Sequence, residues 1–242
     1  SKAKEIGMMN TNFSNSSGIT SAYNYSTVRD VLIMSNYLIK NYPEYYKYFA
    51  EKEFTWDRTG GDPITQGNRN PLLYKRVGVD GIKTGYLAVE KYSLASSMKR
   101  DQRRLIAVAS GFQTKNARST GSLKMLSWGF RNTDTFQISK KNETVFPVKS
   151  WLGKKTDING ITKENVFLTL QKKEARGLKV LLNYNGPIKA PVTKDQKIAN
   201  LEIYVKDDLI KKIPVFASED VDKVNVFKSL FMSLNYLIWG DV

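Results

Sequence analysis

The chain has 242 residues, of which 41% are hydrophobic and 12% aromatic, so it is long enough for one large globular domain or two smaller ones. Its 38 lysines and arginines exceed its 23 acidic residues by a formal charge of +15, which indicates attraction to a polyanion or simply a basic solvated surface. Because histidine and cysteine are absent, disulfides, thiolate sites, a Ser-His-Asp triad and the common zinc sites are excluded, and proton transfer near neutral pH must use a carboxylate, a tyrosine or a desolvated lysine.

The first part of the chain predicts short helices. Residues 2–8 are typical of the end of a helix, and Ser26 can cap a second helix over residues 27–40. Pro43 suits the first turn of a short aromatic helix. Residues 57–70 then indicate a long polar loop.

Three strand-like runs follow this loop, and turn residues separate them. An antiparallel meander is the simplest pairing of three such runs, which cover residues 77–86, 92–98 and 104–111. Helical spacing returns over residues 117–131.

After about residue 133 the pattern changes to short strands separated by turn signals, among them Asn159-Gly160 and Asn185-Gly186. The sequence therefore predicts an α+β first domain over residues 1–133, with an antiparallel sheet and helices, and a small sandwich-like all-β domain over residues 134–223.

The last predicted segment, residues 224–242, is an amphipathic helix. It either packs on its own domain or a partner, or lies in a membrane interface as an anchor, with an apolar face of Phe227, Leu230, Phe231, Leu234 and Ile238. No apolar run reaches the ~18 residues that a spanning helix needs. The chain does not open with a secretory signal, so we expect either a cytosolic protein or a true N-terminus that lies further upstream.

The sharpest chemical signal is Lys83-Thr84-Gly85 in VGVDGIKTGYL. At the end of an edge strand this tripeptide would place an ammonium and a hydroxyl beside an open cleft, and a glycine lets a substrate backbone approach the strand. A solvated lysine at a strand end is the alternative interpretation of the tripeptide alone.

The context of the tripeptide resembles the serine penicillin-recognising enzymes, and in particular the low-molecular-mass penicillin-binding D-alanyl-D-alanine carboxypeptidases. Residues 79–86 (VDGIKTGY) are similar to that family's third signature strand. Further segments resemble the same family along nearly the whole chain: GMMNTNFSNSSG, QGNRNPLL, QRRLIAV and KMLSWG, with the small β domain and the amphipathic end.

The resemblance implies a serine peptidase that removes the terminal D-Ala from peptidoglycan stem peptides through an acyl-enzyme, with no cofactor and with β-lactams as covalent inhibitors. It assigns Lys83 a catalytic role, in which its charge polarises the proton relay. Thr84, Gly85, Tyr86 and Arg118 become substrate-binding positions: the Thr84 hydroxyl for the terminal carboxylate, the backbone near Tyr86 for an oxyanion-hole N–H, and Arg118 for a carboxylate unless it faces water at the start of its helix. A periplasmic protein, held peripherally on the outer face of the inner membrane by its C-terminal helix, is implied as well.

The family's Ser-x-x-Lys and Ser-x-Asn signatures lie upstream of the matching region, so we expect the nucleophilic serine outside this chain, on a segment that a separate chain could supply. The strings Ser1-Lys2-Ala3-Lys4 and Ser96-Ser97-Met98-Lys99 are interpreted as chance. Tyr25 and Tyr86 stand where the family usually has histidine, which affects only how substrate is positioned. The alternative function is a non-catalytic module that binds wall polymer or membrane. Nucleic-acid binding is not expected, because no motif supports it.

Overall fold

The structure is a computed structural model that describes residues 1–19 and 21–240. The chain divides into two compact units, Ser1–Arg131 and Asn132–Val242. The predicted α+β class with a β-rich second part is confirmed. The finer domain limits at residues 133 and 223 stay predictions.

Helices open the first unit, as predicted. The second helix begins after Thr27, whose Oγ1 accepts a hydrogen bond from the Asp30 N–H at 3.1 Å. The predicted cap Ser26 is therefore wrong, because that hydroxyl lies 2.8 Å from the Thr11 hydroxyl instead. The elements are α1 Lys2–Glu5, α2 Val28–Asn41, α3 Pro43–Tyr46 and a 3-10 turn Lys47–Ala50.

The polar stretch that was predicted as a loop contains half of a hairpin, which corrects the prediction. Strand β1 (Glu53–Trp56) pairs antiparallel with β2 (Ile64–Gly67), and the Thr55 and Thr65 hydroxyls lie 2.7 Å apart across the pair. Residues 57–63 form the irregular, exposed connection between the two strands, and residues 68–70 after β2 are irregular as well. Cross-strand threonines stabilise the pair, although β2 (ITQG), which lies inside the predicted loop, lacks the apolar alternation that would have indicated a strand.

The predicted meander is confirmed as a three-stranded antiparallel sheet in the order β3-β4-β5. A 3-10 turn, Pro71–Lys75, precedes the sheet. The strands are β3 Val79–Leu87, β4 Lys91–Arg100 and β5 Arg103–Phe112, and helix α4, Lys115–Asn132, follows them. Each face of the sheet buries its own cluster. Leu94 and Met98 pack with Leu126 of α4 on one face, whereas Ala95 belongs to the cluster of Tyr46 and Ile82 on the other.

The second unit is built mainly of strands. Six of them form one sheet in the order β10-β12-β13-β8-β7-β11, and β6 pairs with β9. Their bounds are β6 Thr133–Ser139, β7 Thr144–Trp151, β8 Asp157–Ile161, β9 Val166–Gln171, α5 Lys172–Ala175, β10 Leu178–Asn183, β11 Ile188–Lys189, β12 Lys197–Val205 and β13 Asp208–Ala217. Side chains such as Val148, Ile158 and Val215 are fully buried and form the core of this unit.

Asn159-Gly160 is not the turn that its composition predicted, because both residues lie inside β8. A Cβ on Gly160 would lie 2.7 Å from Val215 Cγ1 and 3.2 Å from the Phe146 carbonyl oxygen. The glycine is therefore explained by close packing between neighbouring strands rather than by a reversal of the chain.

The C-terminal helix α6 spans Val226–Trp239. Asn225 caps it, since its Oδ1 accepts from the Lys228 N–H at 2.9 Å, and Gly240 ends it at a φ of 71°. The last two residues of the predicted segment, 241 and 242, lie outside the described residues. Within residues 1–19 and 21–240, no helix has the length and apolar character needed to cross a bilayer.

Candidate active site

The Lys83-Thr84-Gly85 tripeptide lies within β3 rather than at its end, because the strand continues to Leu87. Among the described residues β3 pairs with β4 alone, so the tripeptide runs along an edge of the sheet. An edge strand presents unpaired backbone N–H and C=O groups, to which an extended peptide can hydrogen-bond.

Lys83 is exposed and lines a cleft of about 670 Å³. Its Nζ donates to the Thr84 carbonyl at 2.9 Å. The rest of the cleft is largely apolar, with lining residues that include Ile6, Met8, Phe13, Leu38, Phe49 and Ile82. The ammonium is thus a cation at the rim of an apolar cavity.

Thr84 faces the other side of the sheet. It pairs with Leu94, whose side chain packs in the cluster that contains Leu126 of α4, whereas Lys83 pairs with Ala95 on the α2 side. Neighbouring residues of a strand point to opposite faces. The ammonium and the hydroxyl therefore approach the free edge from opposite faces of the sheet, rather than side by side on one face.

Tyr86 and Arg118 are connected through a residue that the sequence did not single out. The Tyr86 and Tyr92 rings pair across β3 and β4 with centroids 4.7 Å apart, and the Arg118 guanidinium carbon lies 5.6 Å from the Tyr92 centroid. Stacking of this kind holds a guanidinium in place while most of its donors stay available. The arrangement brings Arg118 to the face of the sheet that carries Thr84.

The alternative interpretation had Arg118 facing water. Only 7% of the residue is exposed, so the guanidinium is buried instead. Its Nη2 donates to the Arg69 carbonyl at 3.4 Å, and among the described residues its Nε has no hydrogen-bond partner. Burial lowers the pKa of this guanidinium from its usual value. A buried cation with an unsatisfied donor is suited to a carboxylate, which could accept two parallel hydrogen bonds.

Gly85 and Tyr86, which follow Lys83 along β3, line a second cleft of about 400 Å³. A Cβ on Gly85 would collide with Ser93 Oγ, so the glycine has a packing reason within the sheet in addition to any approach by a substrate. Most other lining groups are polar, among them Ser21, Asn24, Ser26, Ser93 and Ser110.

The segment Asn68-Arg69-Asn70 holds the backbone of β3 through a side-chain hydrogen bond. Asn70 is fully buried, its Nδ2 donates to the Gly81 carbonyl at 2.9 Å, and its Oδ1 accepts from the Leu72 N–H at 3.1 Å. Asn68 in turn accepts from the Asn70 N–H at 2.9 Å. The Asn70 amide therefore links two backbone segments: its Nδ2 holds the carbonyl two residues before Lys83, and its Oδ1 caps the 3-10 turn Pro71–Lys75.

A second anchor holds the residue before Gly81. Asp80 accepts from the Tyr46 hydroxyl at 2.9 Å and from Arg104 Nη1 at 2.7 Å, and Arg104 Nη1 also contacts Ser97 Oγ at 2.6 Å. Burial raises the pKa of the Tyr46 phenol well above its usual value, so the phenol remains a hydrogen-bond donor. Sequence reasoning missed this network, because its members are far apart in the chain.

Similarity to known proteins extends over both units. The family described as D-alanyl-D-alanine carboxypeptidase matches residues 1–114, and the one described as penicillin-binding protein 5, C-terminal domain, matches residues 134–223. Residues 1–114 belong to the D-alanyl-D-alanine carboxypeptidase family. The first of these matches includes the Lys83-Thr84-Gly85 strand, so the sequence-based resemblance is confirmed.

Individual relatives agree with the family. D-alanyl-D-alanine carboxypeptidase DacD of Escherichia coli is 31% identical over 94% of this chain and 58% of its own length. DacF of Bacillus subtilis is 33% identical over 92% of this chain and 57% of its own length. The crystal structure of penicillin-binding protein 5 from Haemophilus influenzae superposes with a TM-score of 0.83 at 30% identity, covering 92% of this chain and 64% of that one. The chain therefore spans a little under three fifths of the length of these curated carboxypeptidases.

Proposed function

We propose that this chain is part of a serine-type D-Ala-D-Ala carboxypeptidase that removes the terminal D-Ala from peptidoglycan stem peptides. The observation that carries the proposal is the edge strand β3, with Lys83 on one side and the buried, incompletely hydrogen-bonded Arg118 on the other. An extended peptide beside this strand would have a cation near its scissile bond and a guanidinium near its terminal carboxylate.

In the proposed reaction a serine outside the printed sequence attacks the carbonyl carbon of the penultimate D-Ala. Its proton passes to a neighbouring lysine base and then to the leaving nitrogen, so that the C–N bond breaks and D-Ala departs. Water then hydrolyses the resulting ester. Lys83 would stabilise the deprotonated partner of the relay, and a backbone N–H near Tyr86 would donate to the oxyanion.

The proposed substrate contacts extend to inhibitors. Thr84 would donate its hydroxyl to the substrate carboxylate, and Arg118 would bind the same group. Because β-lactams carry a comparable carboxylate beside a reactive amide, we expect them to acylate the same serine in the complete protein.

The proposed location is the periplasm, with peripheral contact at the outer face of the inner membrane. The support is α6, whose apolar side chains are largely exposed: Phe227 is 86% and Phe231 72% accessible. Such a helix suits the interfacial region of a bilayer. The alternative function, a non-catalytic module that binds membrane or wall polymer, is supported by the same helix and by the +15 charge.

A fluorescent penicillin tests the activity on the full-length protein that contains this chain. We expect covalent labelling of a serine upstream of residue 1. Lys83→Ala should reduce the acylation rate by about a hundredfold or more, whereas Lys124→Ala, an exposed change on α4, should leave it unchanged. Absence of a labelled serine would refute the enzyme assignment. Hydrolysis of a D-Ala-D-Ala peptide by the isolated chain would refute an external nucleophile.

A further inference from the structure

Five exposed cations gather at one end of the meander in the first unit, at the end of β3 opposite to Leu87. They come from the 3-10 turn before β3, from the β4–β5 hairpin and from the end of α4. We call them the basic tip: Lys75, Arg76, Lys99, Arg100 and Arg131.

Backbone and ring contacts bring these three segments together. The Lys99 N–H donates to the Gly78 carbonyl at 2.8 Å, which places the end of β4 beside the segment that follows Arg76. The Arg100 guanidinium carbon lies 5.0 Å from the centroid of Phe130, the residue directly before Arg131. The basic tip is therefore a cluster in space and not only in sequence.

The charge of the basic tip is little compensated. Among residues 1–19 and 21–240, none of the ion pairs within 4.0 Å involves any of its five members. Asp101 is the one carboxylate in the connecting turn of the hairpin, and nearby Asp80 is already paired with Arg104. Five like charges held together without counter-ions repel one another, so an anionic surface that neutralises them would be favoured.

We propose that the basic tip docks on a bilayer surface of anionic phospholipids. Exposed cations at a hairpin end can contact several headgroups at once, and Phe130 is half-buried beneath guanidinium groups, so the contact would be made by charge rather than by insertion. The same chain carries the exposed apolar face of α6, and stable peripheral attachment generally needs two such signals. This inference goes beyond the proposed peptidase activity and does not depend on it.

Vesicle co-sedimentation of the purified protein tests the proposal. The probe is phosphatidylcholine with about 30% phosphatidylglycerol, compared with phosphatidylcholine alone. The tip variant changes Lys75, Lys99, Arg100 and Arg131 to Gln; the control changes Lys172, Lys173, Lys189 and Lys197 to Gln and alters the net charge equally.

We expect the tip variant to lose about tenfold or more of its binding to anionic vesicles and the control about twofold at most, with the difference disappearing at high salt. Binding to pure phosphatidylcholine, which would reflect α6, should be the same for both variants. Equal losses in the two variants, or none in the tip variant, would overturn the proposal. A tip variant that loses binding to inorganic polyphosphate but not to anionic vesicles would also overturn it, in favour of a soluble polyanion.

A second experiment avoids any dependence on the folding of the tip variant. The chain has no cysteine, so Gln102→Cys introduces a single labelling site in the hairpin turn. A fluorophore there should be quenched by phosphatidylglycerol that carries a head-group spin label, and added salt should relieve the quenching. An unquenched label on vesicle-bound protein would contradict docking through this end of the sheet.

Discussion

Arg104 holds Asp80 by two hydrogen bonds at once: Nη1 lies 2.7 Å from Oδ1, and Nη2 lies 2.7 Å from Oδ2. This fork links β5 to the start of β3 across β4, because Ser97 of the intervening strand also contacts Nη1. The geometry of the candidate site therefore depends on a pair that stands several residues away from Lys83 and contacts no part of the tripeptide.

Replacing Asp80 by Asn should destabilise the first unit by about 1–3 kcal/mol, because Arg104 and the Tyr46 hydroxyl would lose a charged acceptor in a half-buried setting. Urea unfolding monitored by tryptophan fluorescence measures the change. Asp101→Asn, an exposed substitution in the neighbouring hairpin turn, should alter stability by less than about 0.5 kcal/mol. Equal effects of the two substitutions would contradict a structural role for the fork.

Asn70→Ala should cost about 1–3 kcal/mol, since the buried Gly81 carbonyl would lose its side-chain donor. In the complete enzyme the same change should slow acylation by a penicillin, because the backbone that leads to Lys83 would no longer be fixed. Asn116→Ala, an exposed substitution on α4, provides the control for both measurements. An unchanged acylation rate alongside the expected loss of stability would show that Asn70 does not position the strand.

Arg118→Gln should reduce kcat/KM of the complete enzyme for a peptide ending in a free D-Ala carboxylate by about a hundredfold. A matched peptide with a C-terminal amide should lose far less, because it offers no carboxylate to the guanidinium. Lys115→Gln on the same helix is the control. Parallel losses for both peptides would indicate that Arg118 supports the fold and does not read the carboxylate.

Asp30 makes the free energy of unfolding of the first unit vary with pH in the acid range. It is buried, and hydrogen bonds from the Thr11 hydroxyl and the Asn10 N–H hold the pKa of its carboxyl below the ordinary value. Its contribution is complete above about pH 4 and is lost as the pH falls through the lowered native pKa. Asp30→Asn should therefore lower the urea midpoint at pH 7 and flatten its decline below about pH 4.

Asp62→Asn, an exposed substitution in the connection between β1 and β2, is the control for this measurement. Some acid dependence should survive in Asp30→Asn, because contact with Lys212 also lowers the pKa of Glu202 in the second unit. If the urea midpoint of Asp30→Asn declined below about pH 4 as steeply as that of the wild type, the Asp30 carboxylate would not be the group responsible.

Exchanging Phe227 and Phe231 for Ser should weaken binding to phosphatidylcholine vesicles by about tenfold or more, since both rings are exposed on α6 and would lose their apolar transfer energy. Ser229→Ala with Ser233→Ala on the same helix is the matched control. If the first variant bound vesicles normally but no longer self-associated in sedimentation, α6 would be a protein interface.

Much of the first unit could be predicted, because turn residues separate the three strand-like runs of the meander and because apolar residues of α2 and α4 recur every three to four positions. Strand β2 could not, since Ile64 is its one apolar side chain and its pairing with β1 includes polar cross-strand contacts such as Thr55 with Thr65. Local dipeptide chemistry also misled at Asn159-Gly160, where packing against Val215 decides the conformation.

The candidate site was predictable as a motif but not as a geometry. Lys83 was singled out by its neighbours in sequence, and its catalytic role stays a prediction. Lys83 and Thr84 are assigned to opposite faces of the sheet by the pairing of β3 with β4. That pairing cannot be predicted from the sequence of either strand alone. The contributions of Tyr92 and Arg104 likewise depend on tertiary contacts, so their sequence positions carried no signal.

Hydrogen bonds close the β1–β2 hairpin at the end opposite to its connecting loop. The Tyr74 hydroxyl donates to the Lys52 carbonyl at 2.8 Å, and the Asn68 N–H donates to the same carbonyl at 2.6 Å. Residues 57–63 beyond this closure are exposed, and lengthening a loop costs little entropy per added residue. An epitope or a small fluorescent domain spliced between Gly60 and Gly61 would thus give a visible handle for following the protein in living cells while the strand that carries Lys83 keeps its supports.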